Sequence, residues 1–448
     1  MTQFRKALNQ LRRQDQPGSF SISDQLSFLK DRTGGEGFLK PRPAVPRNLP
    51  EGRVEENVHG SHYVIREVFD AGHHHGNIRV GRLCLDDLAT LLDLARCKHE
   101  SLERDRIIFL DTETTGIQGG AGMCPFLIGV GFFRGDEFHV VQYFIRDFNE
   151  EPSMLLALGR MLGEFDLIVT YNGKTFDLPL VDNRFILSRM EKPFGHMSHF
   201  DLLFTARRLW RNGHGSCRLT ALEHKLIQFI RGPDIHGSMI PRAYFDYLNH
   251  FDAACLASVF SHNVYDILSL AGLTIQACDR VVTEPAPLDD ALDVYSLGKV
   301  FDRVRNRPKA IECYELALRS VLPTTLGVRA LERLSILYRR VGEHARSLEI
   351  CKRLMDHPEF SLIGYEGASI HYSRHAHDIA SALRVVAEGL GRTEGIAPLA
   401  RRHARLAVRK ERLERKMGGG LARSRGQSYT AIPLTSTRWP GGSPPEIT

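Results

Sequence analysis

Three separated segments of this chain carry carboxylates at spacings that serve metal chemistry. The first, Asp111-Thr112-Glu113-Thr114-Thr115-Gly116, directly follows the apolar run RIIFL at 106–110. On a strand, residues i and i+2 project from one face, so Asp111 and Glu113 present two carboxylates together. Like charges so close raise each other's pKa unless a cation sits between them, and hard oxygen donors suit Mg²⁺ or Mn²⁺. A DxE tripeptide after a strand is equally an ordinary solvated strand end, so this segment decides nothing alone. The second segment, Tyr171-Asn172-Gly173-Lys174-Thr175-Phe176-Asp177-Leu178-Pro179, runs from a strand into a helix. Asp177 there suits a helix cap, and Pro179 just inside the helix start fits the same role. Capping leaves the wider pattern Asn-x3-Phe-Asp unexplained. In the third, Ser261-His262-Asn263-Val264-Tyr265-Asp266, His262 and Asp266 stand four apart on a helix and share a face. Taken singly, His262 reads as a helix-face histidine bonded to Asp266.

The elements that must position these groups follow from periodicity. SHYVIREVF and IRVGRL, within 56–82, read as two strands joined by the loop DAGHHHGN, and 84–98 has helical spacing. RIIFL, CPFLIGVGFF (124–133) and FHVVQYFI (138–145) are three strands in succession. SMLLALGRMLGEF is an amphipathic helix, DLIVTYNG a fourth strand, DLPLVDNRFILSRM a helix, and HFDLLF a fifth strand or strand end. Helical periodicity then continues to about 279. This order predicts an α/β fold, a mixed sheet with helices packed on its faces.

Five regions are expected: a flexible arm at 1–55, a hairpin and helix at 56–100, the sheet domain at 101–282, a helical domain at 290–392, and a basic helix with a disordered tail at 393–448. The boundary is placed in the Pro-containing, acidic break VVTEPAPLDD at 281–290. Beyond it, Leu297-Gly298, Ala310, Tyr314 and Ala317 fit tetratricopeptide spacing, and Tyr338, Gly342, Ser347 and Leu354 echo it, as Ala368, Ala380 and Ala387 do faintly.

Taken in order, the three acidic segments resemble the three motifs of the DEDD superfamily of 3′→5′ exonucleases, which has a ribonuclease H-like fold. DTETTG matches the first, NGKTFDLP the second and HNVYD the third. The form Asn-x3-Phe-Asp-Leu-Pro is similar to the proofreading domain of family B DNA polymerases. The run DLLFTARRLWR, SCRLTALEHKL, HNVYDILSL resembles YprB-like bacterial proteins, some of which carry tetratricopeptide-like helices behind the nuclease. The resemblance implies hydrolysis of phosphodiester bonds by two divalent ions, Mg²⁺ or Mn²⁺, about 4 Å apart. Asp111 and Asp266 would hold the ion that activates water. Asp111, Glu113 and, through water, Asp177 would hold the ion that stabilises the leaving oxygen. Thr112, Thr114, Asn172, Lys174, Phe176, Arg207 and Arg208 would meet the substrate, with Arg211 a further phosphate contact. Phe176 or Tyr171 would stack on a terminal base, and an apolar core role for Phe176 stands as its alternative. The third motif departs from the family. His262 occupies the position, four before the aspartate, at which one subfamily carries tyrosine, whereas the histidine subfamily places its histidine five before, here Ser261. His262 is therefore either the base or a group that orients water.

Bulk properties narrow the setting. A net charge of +6 is compatible with a polyanionic partner without arguing for one, while 401–416 concentrates eight Lys or Arg against two Glu. The eight cysteines form no CxxC pair, which disfavours zinc ribbons and iron–sulfur clusters. No run reaches the roughly 18 apolar residues of a membrane span, and a cytoplasmic location is expected. The triplet His73-His74-His75 is expected in an exposed loop, because consecutive residues point apart. The expected partner is nucleic acid, single-stranded DNA ahead of RNA, with a protein partner open for the helical domain. The competing readings are an RNA exonuclease, a structure-selective endonuclease, and a non-catalytic binding scaffold. The intact set of four carboxylates disfavours the scaffold.

Overall fold

The computed structural model describes residues 46–98, 102–116, 122–284 and 290–425. The expected arm up to residue 45, the centre of the acidic break at 285–289 and the tail beyond 425 lie outside them. The chain forms two compact units that divide between Val321 and Leu322.

The first unit is built on strands β1 (Arg53–Asn57), β2 (Gly60–Phe69), β5 (Ile107–Thr114), β6 (Pro125–Arg134), β7 (Glu137–Phe144), β8 (Leu167–Thr170) and β9 (Ser198–Asp201). They make one mixed sheet in the order β1-β2-β7-β6-β5-β8-β9. A separate pair, β3 (His74–His75) and β4 (Ile78–Arg79), lies outside it. β5 runs antiparallel to β6 and parallel to β8, which pairs parallel with β9. The expected mixed α/β sheet with flanking helices is therefore what forms. Its first hairpin differs from expectation. β2 pairs with β1 and β7, while 78–79 pairs only with 74–75. The reason is local: Gly60 adopts φ +115, and Asn57 Oδ1 accepts from the His59 N–H at 3.0 Å, so the chain turns before β2 rather than after it.

Helices α1 (Leu85–Ala95), α2 (Glu151–Leu162), α3 (Asp177–Leu187), α4 (Leu202–Leu209), α5 (Arg211–His214), α6 (Leu219–Leu222), α7 (Ile240–His250), α8 (Ala257–Val282), α9 (Ala291–Arg303) and α10 (Arg307–Arg319) complete this unit. A π-helical turn at Glu223–Ile227 follows α6. The core includes Ile108, Leu110, Ile128, Val130, Phe144, Leu155 and Tyr244, all fully or nearly fully buried. Helix α9 is tied to α5 by a hydrogen bond from Asn212 Nδ2 to Ser296 Oγ at 2.7 Å and a contact of His214 with Asp293 at 3.2 Å. Within the helical pair α9–α10, Gly298 lets Cys313 and Tyr314 approach: a Cβ there would lie 3.1 Å from Cys313 Cβ.

The second unit is helical: α11 (Thr324–Arg340), α12 (His344–Asp356), α13 (Leu362–Arg374), α14 (Ile379–Gly391) and α15 (Ala400–Arg425), each packed on the next. Phe360, Tyr365, Ala382, Val386, Leu406 and Leu413 form its core. Among the described residues, no helix is long and apolar enough to cross a membrane.

Candidate active site

The apolar run Ile107–Leu110 is entirely buried, which fixes β5 in the middle of the sheet and delivers Asp111 and Glu113 at its far end. In register, Asp111 lies opposite Gly129 of β6. That glycine is required. A Cβ at 129 would lie 2.0 Å from Asn263 Oδ1, and one at Gly131 would lie 2.4 Å from Ile267 Cγ2. The missing side chains allow α8 to press onto the sheet, which carries Asn263 to Asp111. Asn263 is fully buried and donates Nδ2–H to Asp111 Oδ2 at 2.9 Å. Its Oδ1 accepts from Gln142 Nε2 at 2.9 Å, and Gln142 also donates to the Phe260 carbonyl at 3.0 Å. A buried amide relay thus holds one oxygen of the first carboxylate.

Asp177 opens α3 but is not its cap; that position belongs to Phe176, and the carboxylate is turned to Thr112, whose Oγ1 donates to Oδ1 at 2.5 Å. Thr112, expected at the substrate, gives its hydroxyl to Asp177 instead, and Thr114 gives its own to the Gly116 carbonyl at 2.8 Å. The loop before α3 is held from outside. Asp201 accepts from the backbone N–H of Asn172 at 2.8 Å and of Lys174 at 3.1 Å, and Asn172 sits in the left-handed region at φ 68.

Burial dominates the electrostatics of this cluster. It drives the carboxyl of Asp111 well above the ordinary range, with Asp266 and Asp177 adding repulsion. Glu113 is raised likewise by burial and by Asp111. Burial pushes Asp177 up to about 6 against the pull of its Thr112 bond. Four carboxylates gathered together, Glu113 and Asp177 buried and Asp111 and Asp266 half-buried, require a positive partner.

Part of that partner is a residue the sequence reading missed. Arg231, with 8% of its side chain exposed, forms ion pairs with Glu223 at 2.5 Å, with Asp234 at 3.2 Å, and with Asp266. Burial alone would lower its pKa; the bonds to Glu223 and Asp266 outweigh that and raise it. Asp234 also meets His262 Nδ1 at 2.8 Å. Arg231 Nη1 meets the same Nδ1 at 3.2 Å, so that nitrogen stands between a carboxylate and a guanidinium, while Nε2 faces Asp266 at 3.6 Å and Glu113 at 4.0 Å. Arg231 and Asp234 stand in IRGPDIH, a Gly-Pro loop with no periodicity. An arginine and an aspartate inside a short apolar loop were the available signal.

Of the histidine triplet expected in an exposed loop, His74 is exposed and His73 half-buried, and His75 departs from the expectation. His75 is buried: its Nε2 lies 2.7 Å from Ser269 Oγ, and its ring centroid is 3.8 Å from that of Phe229. Gly76, at φ +63, lets Asn77 N–H reach the Ile227 carbonyl at 2.7 Å. Phe229 then meets Tyr265 at 5.3 Å, and Arg231 lies 6.0 Å from the Tyr265 ring. His75 and Gly76 therefore buttress the segment that presents Arg231.

Of the remaining expected substrate residues, Phe176 is 52% exposed, beside Asp177, which excludes the core role. Lys174 is exposed on the same loop, and Asn172 is partly exposed. Arg207 lines an open cleft of about 510 Å³ with Arg211, Tyr171 and Asn172. Arg208 does not join them. One residue round the helix, it is half-buried beside Leu91, Leu94 and Val300, its pKa lowered by burial and by Arg303 and Arg96.

With this geometry in place, the chain can be set beside known proteins. The RNase_H superfamily model matches residues 108–278, which span Asp111, Glu113, Asp177, Arg231, His262 and Asp266. That segment is an RNase_H superfamily domain. The chain is also similar to the uncharacterized protein YprB of Bacillus subtilis, 29% identical over 299 residues, covering 65% of this chain and 71% of that protein. Among solved structures it is similar to the family B DNA polymerase of the hyperthermophilic archaeon Pyrobaculum calidifontis, at 14% identity and a TM-score of 0.34, covering 54% of this chain and 30% of that one.

Proposed function

We propose that this protein is a metal-dependent nuclease that removes nucleotides from the 3′ end of single-stranded DNA. The carrying observation is the cluster itself: four carboxylates from β5, α3 and α8, two buried and two half-buried, with His262 Nε2 facing Asp266 and Glu113. The donor set fits hard divalent cations, Mg²⁺ or Mn²⁺. Carboxylate oxygens of Glu113 and Asp266 lie within 4.8 Å of one another, and burial leaves Asp111, Glu113 and Asp177 short of positive charge. Asp111, Glu113, Asp177 and Asp266 would hold two such ions, which would supply acidification of the attacking water and a counter-charge to the leaving oxygen.

The chain's own residues do the rest. Asp234, nearer to Nδ1 than Arg231 is, would draw the His262 proton to that nitrogen, and Nε2 would then accept the proton of the attacking water. Arg231 holds Asp266 in place through one carboxylate oxygen. Thr112 and Asn263 fix the rotamers of Asp177 and Asp111, which leaves each with a free oxygen. Phe176, exposed at the start of α3, offers a face on which an unpaired terminal base stacks, worth about 1–3 kcal/mol. That preference for an unpaired end favours a single strand.

The test is a gel assay with 5′-labelled single-stranded DNA, duplex DNA and RNA, with and without Mg²⁺ or Mn²⁺. A ladder shortening from the 3′ end of single-stranded DNA, only with metal, is expected. The Asp111→Asn and Asp266→Asn variants should fall to background. Undiminished cleavage by the double variant would sink the assignment.

A further inference from the structure

The structure assigns a second anion-binding surface to the first unit: we infer that the cleft formed by Arg207, Arg211 and Arg218 grips the phosphodiester backbone of a single-stranded nucleic acid. The inference rests on the nuclease reading for its choice of polyanion, although the site is separate from the carboxylate cluster.

Its construction is legible in the helix. Leu203, Arg207 and Arg211 recur every four residues, and the helical hydrogen bonding continues through Trp210, whose N–H donates to the Ala206 carbonyl at 2.8 Å while its carbonyl accepts from His214 at 2.8 Å. The three side chains therefore share one face. Gly215, at φ +71, reverses the chain and brings Arg218 and Leu219 across from them. Tyr171 is pinned by its hydroxyl, which donates to the Cys217 carbonyl at 2.6 Å, so the wall of the cleft is fixed. Cys217 lies in the same wall; burial raises its thiol pKa, while Arg211 and Arg207 oppose that shift.

What marks this cleft is uncompensated charge. Arg207, Arg211 and Arg218 are all exposed, and none forms an ion pair with a described residue. The two carboxylates whose fields reach Tyr171 are already committed: Asp201 to the N–H groups of Asn172, Lys174 and Leu203, and Glu223 to Arg231. Three guanidiniums around one cleft repel unless an anion enters, and guanidinium geometry matches phosphate oxygens bidentately. A volume of about 510 Å³ accommodates a nucleotide-sized group. Asn172 stands at the cleft's edge and opens the loop that runs into Asp177. A strand held there would lead along that loop toward the carboxylates.

Binding can be read without catalysis. Full-length protein in EDTA is titrated with a fluorescent dT oligonucleotide over a range of salt, and compared with the Arg207→Gln/Arg211→Gln/Arg218→Gln variant after its melting temperature is checked. Loss of up to three phosphate contacts should flatten the slope of log K against log salt by as much as about 2. In wild-type protein, the oligonucleotide should slow alkylation at Cys217 but not at the exposed Cys84 and Cys255, read by peptide mass. Inorganic phosphate alone, at equal ionic strength, should protect Cys217 less. An unchanged slope together with unprotected Cys217 would overturn the inference. If wild-type protein binds in this way yet cleaves nothing with Mg²⁺ or Mn²⁺, the nuclease reading fails and the cleft stands.

Discussion

Asp111, Asp177 and Asp266 each have one oxygen engaged, by Asn263, Thr112 and Arg231 in turn, and that engagement makes their protonation informative. Asp177, pushed up to about 6 by burial, binds a proton more tightly folded than unfolded, where a carboxyl titrates near 3.9. In metal-free protein its contribution to stability is therefore fully present below about pH 4 and is lost as pH rises through about 6. Metal binding has the opposite sign, because a ligand must first lose its proton. Calorimetric titration with Mn²⁺ should show affinity rising, and proton release falling, between pH 5 and 7.5; flat affinity across that window would show that Asp177 is not among the ligands. His262 gives a second test. His262→Ala should lower kcat by roughly 10²–10⁴ with little change in metal affinity. Asp234→Asn, which leaves the ring in place but removes control of its tautomer, should cost about 10–100-fold. A full rate in His262→Ala at saturating metal would leave the histidine as a helix-face partner of Asp234 and Asp266 only.

Elements set how close these groups come, and here glycine is decisive. Gly129→Ala would place a methyl group on Asn263, so α8 must lift or the amide relay must break. Overpacking of this kind costs about 1–3 kcal/mol. Urea denaturation should show that loss, and the nuclease rate should fall further than stability does, because α8 carries both His262 and Asp266. A variant that keeps wild-type activity would mean that α8 reaches the sheet without the close contact. The same glycines explain what was legible beforehand. Strands and helices announce themselves by period, so RIIFL, DLIVTYNG and the helix of His262 were placed from sequence, and with them all four carboxylates. Gly129 and Gly131, two apart on β6, were a visible sign of close approach but named no partner. Arg231, Asp234 and His75 lie in loops or a two-residue strand, where no period operates. Their roles depend on contacts across 28 to 194 residues of sequence, which only the folded chain displays. Arg208 was misplaced for the converse reason: adjacent residues on a helix diverge by about 100°, and the run ARRLWR does not say which arginine faces the cleft.

For the whole molecule, the open question is whether the second unit adds to nucleic-acid binding, and its last helix is where charge concentrates. Much of that charge is already employed within the unit. Arg405 pairs with Glu366 at 2.8 Å, Arg409 donates to Ser369 Oγ at 2.7 Å, and Lys416 reaches the Ser373 carbonyl at 3.2 Å. Leu406 and Leu413 from the same helix are core residues, so truncation before α15 would unravel the unit rather than test its charge. The informative change keeps the helix and removes only outward charges: Arg401, Lys410, Arg412 and Arg415, all exposed. Replaced together by Gln, a good helix former, they should leave the melting temperature within a degree or two. If the helix contacts phosphates, the slope of log K against log salt for a dT oligonucleotide should flatten, by at most about 3 for four single-strand contacts, and about equally for any sequence. Affinity at low salt should fall while the cleavage rate at saturating DNA stays the same, because none of the residues that build the carboxylate site has changed. An unaltered slope would make α15 a solvated helix whose basic face balances the acidic side chains of its own unit.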